Sequence, residues 1–318
     1  MAERDADAPQ WSRSGAFPRE LLAPRHWPGW LAVGLLSAIS LLPLALRERI
    51  AHGFGGWFAR HNAKRRRVVR INLQACFPQL DADARERLLS DCFVHYVRSV
   101  LDLPLVWWGS RARLCRRVRI EGGEQLDAAL ARRGRAILLA CHHSALEQVA
   151  CRVVASHPVI GIYKRQRNPL LDWLSRHARS RQGSLLAERS DSLRPVVRAV
   201  RDGRLLYYLP DEDLSLKDSV FADFFGVPKA TLTGTARLAR LCDAAVVPVV
   251  ACYDAAAQQY VARFLPALAG FPSGDAQADA ECINRTLEAM IGADPAQYMW
   301  QLRLFRNRPD GGPSLYAE

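Results

Sequence analysis

Residues 1–20 are polar, and the chain then runs from Trp27 to Leu46 without a charge (WPGWLAVGLLSAISLLPLAL). A helix of about twenty such residues is long enough to cross the hydrocarbon core of a bilayer. Trp27 and Trp30 stand at one end, where interfacial aromatics concentrate, and Pro43 near the other end would bend the helix. The flank that follows is basic, with Arg47, Arg49 and then KRRRVVR over residues 64–70. An excess of Lys and Arg marks the cytoplasmic side of a span, and beside an apolar segment such a run attracts anionic lipid. The pattern therefore predicts an N-terminal hydrophobic membrane helix over residues 25–50, with the bulk of the chain facing the cytoplasm. A helix packed on the protein, or lying in the interface, would carry the same composition. The polar start has no signal-peptide core.

From Asp81 to Leu101 the residues Leu88, Leu89, Cys92, Phe93, Tyr96, Val97 and Val100 recur at helical spacing, and Asp81 is placed to cap the first turn. Beyond a basic stretch (Arg111 to Arg119) the pattern changes. Short apolar runs at 136–140, 158–163, 205–210, 244–250 and 260–265 read as strands. Helical segments fall between and after them at 144–155, 169–180, 191–201, 232–242 and 276–291. In the last, Ile283, Leu287, Met290 and Ile291 share a face and Gly292 ends it. Strands alternating with helices predict an α/β fold, a mixed and largely parallel central sheet flanked by helices. The chain divides into a polar tail (1–24), the membrane helix (25–50), one α/β domain (51–309) and a loop or frayed tail (310–318).

Charge adds a constraint. The 44 Lys and Arg exceed the 32 Asp and Glu, a formal net charge of +12 that favours anionic partners: phospholipid, phosphorylated substrates, an acidic carrier protein or nucleic acid. No basic motif interleaved with aromatics points to nucleic acid. Neither G-x-x-x-x-G-K-[ST] nor G-x-G-x-x-G appears, and G-x-S-x-G is absent, which argues against nucleotide chemistry and a serine lipase. The eight cysteines form no C-x-x-C pair and read as reduced residues, mostly in the core.

The candidate chemistry lies in RAILLACHHSALEQVACRVV, residues 135–154. A buried strand ends near Cys141, and a helix is expected to start at Ser144, whose hydroxyl can cap it. His142 then falls at the carboxyl end of a strand, where open α/β sheets place their ligands. Glu147, in the first turns of the helix, can reach back to its ring. A carboxylate on one imidazole nitrogen fixes the tautomer and makes the other nitrogen a better base. His143 and Glu147 form a competing i, i+4 pair, and a third reading makes His142, His143 and Glu147 metal ligands. No second cluster of metal-ligand spacing supports that last reading, so no metal is expected.

Five further segments accompany the His142/Glu147 element in order: NLQACFP (72–78), YKRQRNPLLDWL (163–174), YLPDEDLSLKDSVFADFFG (208–226), TLTGTARLARLCDAAVVPV (231–249) and PAQYMWQLRLFRNRP (295–309). Together they resemble the bacterial late lipid A acyltransferases, the lauroyl/myristoyl transferase family, over roughly residues 25–309. The resemblance implies a glycerolipid-acyltransferase-like fold, with 51–309 as the acyltransferase domain. It implies transfer of an acyl chain from acyl carrier protein to a hydroxyl of a lipid A precursor at the inner membrane, with no cofactor beyond the acyl donor. The implied base is His142 with Glu147 as its partner. Lys164, Asn168 and Asp172 match the second block, Asp211 and Asp213 the P-D-x-D acids, Gly234 the T-G-T turn and Arg303 the basic residue after the Trp, all as substrate-binding positions. The chain departs from the pattern at Arg165, where the block carries Pro, at His143, and at Leu302, where a His is expected. Acyl transfer to another glycolipid, glycerolipid or amine, and a non-catalytic membrane-attached binding protein of the same fold, are the alternatives.

Overall fold

In the computed structural model, which describes residues 17–189 and 192–317, the central apolar runs pair into one sheet. Its seven strands lie in the order β1-β9-β8-β2-β5-β3-β4. They are β1 (Val118–Glu121), β2 (Ala136–Leu139), β3 (Val159–Tyr163), β4 (Leu185–Glu188), β5 (Leu205–Tyr208), β8 (Ala245–Asp254) and β9 (Gln259–Phe264). Every neighbouring pair is parallel except β8 with β9. All four residues of β2 are buried, as an unbroken apolar run in a sheet covered on both faces requires. Its side chains alternate between two cores. Ile137 and Leu139 join Ile160, Leu206 and Val246 on one face, while Ala136 and Leu138 join Val159, Leu205 and Val247 on the other.

Helices α3 (Ala63–Cys76), α4 (Ala82–Leu101), α10 (Arg194–Arg201), α11 (Gly234–Cys242) and α12 (Ala276–Gly292) supply the first core. Helices α5 (Leu103–Trp108), α6 (Arg111–Arg117), α7 (Gly123–Arg133), α8 (Leu146–Val154) and α9 (Pro169–Arg181) supply the second. A separate antiparallel hairpin, β6 (Ser219–Phe224) and β7 (Val227–Leu232), turns at Phe225 and Gly226, with φ of 51° and 73°. Two successive positive φ values are the signature of a hairpin turn matched to strand twist. The two edge strands, VRIE in β1 and LLAE in β4, carry charges and form no long apolar run, so the hydrophobic pattern does not announce them.

The expected membrane helix is not formed. The uncharged segment breaks at Ser40–Pro43 into α1 (Trp27–Ile39), of 13 residues, and α2 (Leu44–His61). At 1.5 Å per residue α1 rises only about 20 Å, short of the ~30 Å of a hydrocarbon core. Among the described residues no helix is long and apolar enough to cross a membrane, which overturns the single N-terminal anchor and the localisation built on it. The charges that follow are tied into the protein. Arg47 pairs with Asp102, and Glu48 takes Arg98 at 2.7 Å and the Tyr253 hydroxyl at 2.7 Å. Ala51, Gly55 and Ala59 present a face of small residues, and a Cβ at Gly55 would stand 2.7 Å from Val94 Cα, so α2 lies directly on α4. Much of the basic run is engaged as well: Arg66 and Arg70 with Glu86, Arg67 with the carbonyls of Tyr316 and Ala317. Tyr316 itself is buried and accepts the amides of Leu304 and Phe305, so of the two expected forms, loop or frayed end, this part of the tail is a packed loop.

Candidate active site

Parallel pairing of β2 with β5 matches Leu139 to Tyr208, and Ala140 continues the ladder by donating to the Tyr208 carbonyl at 2.9 Å. Continued three residues along each chain, that register sets His142 opposite Asp211. The side chains meet there. Asp211 Oδ1 lies 2.8 Å from His142 Nδ1, and Asp211 Oδ2 accepts the His142 amide at 2.8 Å and the Tyr298 hydroxyl at 2.9 Å. Asp211 is fully buried, whereas 22% of the His142 side chain is exposed. One end of the imidazole is thus held in the protein while the ring remains open to a substrate. Glu212 Oε1 lies 3.9 Å from Nε2, and its other oxygen is 3.0 Å from Arg189.

Burial alone would raise the Asp211 carboxyl. The His142 charge, the two bonds from His142 and the Tyr298 hydroxyl outweigh it and lower Asp211 to about 2. Burial would likewise lower His142, but the Asp211 charge and hydrogen bond, helped by Glu212 and Glu147, raise it above the ordinary histidine value. The carboxylate stays ionised and holds the proton on Nδ1, which leaves Nε2 with the free lone pair in the neutral ring.

Glu147 does not occupy the place that its spacing suggests. Helix α8 begins at Leu146, and Ala145 is its N-cap without a side-chain bond, so Ser144 does not cap it. Ser144 instead donates its amide to the Gln297 carbonyl at 2.8 Å. The Glu147 carboxylate faces α9 and takes a two-pronged ion pair from Arg179, with Nε at 3.1 Å from Oε2 and Nη2 on Oε1. It influences His142 by charge, without a hydrogen bond. His143 points into the core at 2% exposure, 3.1 Å from the Cys141 sulfur and edge-on to Tyr298, and burial lowers it to about 4. His142, His143 and Glu147 therefore do not converge as metal ligands. Among the described residues no group of three or more His, Cys, Asp and Glu could hold a metal ion.

The remaining candidates take varied positions. Asn168 caps α9 by accepting the amides of Leu170 and Leu171, and buried Asp172 accepts the Gln166 amide at 2.8 Å, so both shape the loop after β3. Lys164 is exposed on that loop. Buried Asp213 accepts the Asn307 amide at 2.8 Å and anchors the C-terminal segment. Gly234 opens α11 where a Cβ would stand 2.7 Å from the Tyr208 hydroxyl, so a larger residue there would require that hydroxyl at the end of β5 to move. Arg303 is exposed over the Tyr316 ring at 5.7 Å. Tyr298, Glu212 and Arg179 escaped the sequence reading. Glu212 stood in the PDED run and Tyr298 in the last motif block (295–309), but nothing local marked Arg179.

An apolar cleft opens beside this group. Leu146, Ala150, Val154, Gly161, Leu186 and Leu209 line it, with Glu147 and Arg179 also on its wall. All eight cysteines are free, and five of them are buried.

Residues 15–307 match the family described as bacterial lipid A biosynthesis acyltransferase. The chain is 32% identical over 301 residues to the lipid A biosynthesis lauroyltransferase of Escherichia coli (strain K12), covering 94% of this chain and 98% of that protein. It is 32% identical over 296 residues to a lipid A biosynthesis acyltransferase of Haemophilus influenzae, covering 93% and 92%. The lipid A biosynthesis myristoyltransferase of Escherichia coli is 29% identical over 297 residues, covering 93% and 92%.

Proposed function

Because the chain belongs to the bacterial lipid A biosynthesis acyltransferase family and is an acyltransferase, we propose that it moves a fatty acyl chain from acyl carrier protein to a hydroxyl of a lipid A precursor, with His142 as general base. The observation that carries this reading is the 2.8 Å contact between Asp211 and His142 Nδ1 at the open end of the sheet. Nε2 takes the proton of the acceptor hydroxyl as its oxygen attacks the thioester carbonyl. The tetrahedral adduct collapses, the C–S bond breaks, and the leaving thiolate takes the proton back from the imidazolium. Asp211 never leaves its bond and acts through His142 as a positioning residue. Glu147 remains part of the proposed site, through its ion pair with Arg179 on the wall of the apolar cleft. That cleft is suited to the acyl chain, since its lining is largely aliphatic and two of its wall residues, Leu146 and Leu209, lie four and two residues along the chain from His142 and Asp211.

Access to a lipid substrate is supported by exposed apolar residues on α1 and the turn that follows. Trp27, Leu31 and Leu35 lie at successive four-residue steps, and with Leu41 each is more than half exposed. Peripheral contact with a lipid surface suits that row.

Purified protein given acyl-carrier-protein donors and a tetra-acylated, Kdo-bearing lipid A precursor should add one acyl mass to the acceptor. The addition should vanish in His142→Ala with the fold retained. No added mass from active donors would reject this acceptor class, and full activity in His142→Ala would reject the base.

A further inference from the structure

A cavity of about 360 Å³ lies between the N-terminal segment, the loop after β3 and one face of α9. Four arginines line it: Arg25 from the N-terminal wall, Arg165 and Arg167 from the loop, and Arg176 from α9. Among the described residues none of the four makes an ion pair. Arg25 donates only to His26, at 3.1 Å, and Arg176 lies over the Tyr163 ring at 6.0 Å. This is unlike most of the other arginines described above, whose guanidiniums are committed to carboxylates or carbonyls. Of the two acids on the lining, Asp172 is buried and already accepts the Gln166 amide, and Glu20 is exposed. Trp173 and His177, stacked at 4.9 Å, form an aromatic wall.

We propose that this cavity binds the phosphomonoester of a phosphorylated lipid, with Arg165, Arg167, Arg176 and Arg25 as its ligands. Guanidinium forks match phosphate oxygens two at a time, and a dianion is the ligand that four uncompensated cations around one space select. An acidic protein surface would spread its carboxylates over a broad face, whereas these four cations line a single cavity.

Position favours the acceptor lipid as the source. The loop leaves the carboxyl end of β3, and β2, which delivers His142, ends on the same edge of the sheet with only β5 between. Two strand spacings are roughly 10 Å, within the span of a sugar lipid whose phosphate and reacting hydroxyl are separate groups. The N-terminal wall leads directly into α1 and its exposed apolar row, so the cavity borders the surface where a lipid headgroup would be presented.

The identity of the lipid rests on the acyl-transfer reading, but binding does not require turnover. The test uses the full chain in neutral detergent and measures equilibrium binding of an acylated, phosphorylated glucosamine disaccharide and of its dephosphorylated counterpart. A parallel arm measures binding to phosphatidylcholine vesicles with and without phosphatidic acid. The wild type should bind the phosphorylated glycolipid at least tenfold more tightly than the dephosphorylated one. Arg165→Gln/Arg176→Gln should lose that preference and raise KM for the phosphorylated acceptor about tenfold or more, with kcat at saturation little changed. Arg111→Gln/Arg132→Gln removes the same charge from exposed sites elsewhere and should behave as wild type. A cavity variant unchanged in both the glycolipid and the vesicle arm, or an equal loss in the exposed control, overturns the site. Loss confined to the phosphatidic acid vesicles keeps the phosphate site and assigns it to a bilayer lipid. A preserved glycolipid preference without any acyl transfer rejects the catalytic reading and leaves the site standing.

Discussion

Asp211→Asn separates the two carboxylates that compete for His142. The three groups around the Asp211 carboxylate are all donors: the His142 amide, the Tyr298 hydroxyl and, in the native tautomer, His142 Nδ1–H. Asparagine offers only one acceptor oxygen. The backbone amide is a fixed donor and cannot be turned, while the imidazole can change tautomer. The amide oxygen therefore settles on the His142 backbone, and the NH₂ faces Nδ1. Nδ1 then becomes the acceptor, the proton moves to Nε2, and the base is lost. A tautomer reversal of this kind lowers kcat by roughly 10³–10⁴-fold.

The pH profile gives an independent reading. His142 must be neutral to act, and its value lies above the ordinary ~6.5, so activity should fall as pH drops through a point above 6.5. In Asp211→Asn the residual activity should lose that acidic limb or show it at lower pH, because the charge holding the imidazolium is gone. Tyr298→Phe should move the limb the other way. Asp211 then keeps its charge with one donor fewer and holds the Nδ1 proton more strongly. The assay is kcat/KM against pH with a saturating donor, and circular dichroism with thermal melting confirms the fold. Asp211→Asn retaining more than a tenth of the activity, with its acidic limb in place, would refute the assignment.

Glu147→Gln should displace the acidic limb less than Asp211→Asn does, since Glu147 acts on His142 without a bond; combining it with Arg179→Gln should cost no more than either change alone, read as a double-mutant cycle in kcat/KM. Gly161→Leu should place a side chain in the apolar cleft and shift donor preference to shorter acyl chains, measured by competition between carrier-bound donors of different length. Lys229 is fully buried with no hydrogen-bond partner for its ammonium among the described residues, and burial lowers it to about 8 against the charges of Asp211 and Asp213. A base lowered in the folded state binds fewer protons there than when unfolded, so its contribution to stability rises with pH between about 8 and 10.5. Wild type minus Lys229→Met, compared by denaturant titration, should therefore gain of order 3 kcal/mol across that window, and a flat difference would refute it.

The interior of the sheet was the most legible part of the chain. β2, β3, β5, β8 and β9 are buried enough for their sequences to be nearly continuous apolar runs, and α4, α9, α11 and α12 follow their periodicity closely. Burial on one side only erases that signal. β1 and β4 at the sheet edges and the β6–β7 hairpin mix charges with apolar residues, so their pairing is decided by tertiary contact. The N-terminal segment misled for a related reason. Its hydropathy is an average over twenty residues, while crossing a bilayer needs one unbroken helix. Pro43 ends that continuity, and Leu21 and Val33 are buried in the protein core.

The hydrogen-bond partner of His142 is not the carboxylate nearest in sequence, because proximity along a chain is a poor guide in a parallel sheet. His142 and Glu147 are five residues apart, yet the turn before α8 aims the carboxylate at α9. His142 and Asp211 are 69 residues apart and become neighbours through the register of β2 on β5. Parallel neighbours require a crossover, so the groups meeting at their carboxyl ends always come from distant sequence. Both halves of the pair were visible as motifs, H-H at the end of one apolar run and P-D-E-D at the end of another. Two predicted strands, each followed at once by polar residues able to share a proton, are the pattern that could have joined them. What the sequence did not supply was strand order, which here places β5 directly beside β2 and brings Tyr298, from beyond the last strand, beneath Asp211.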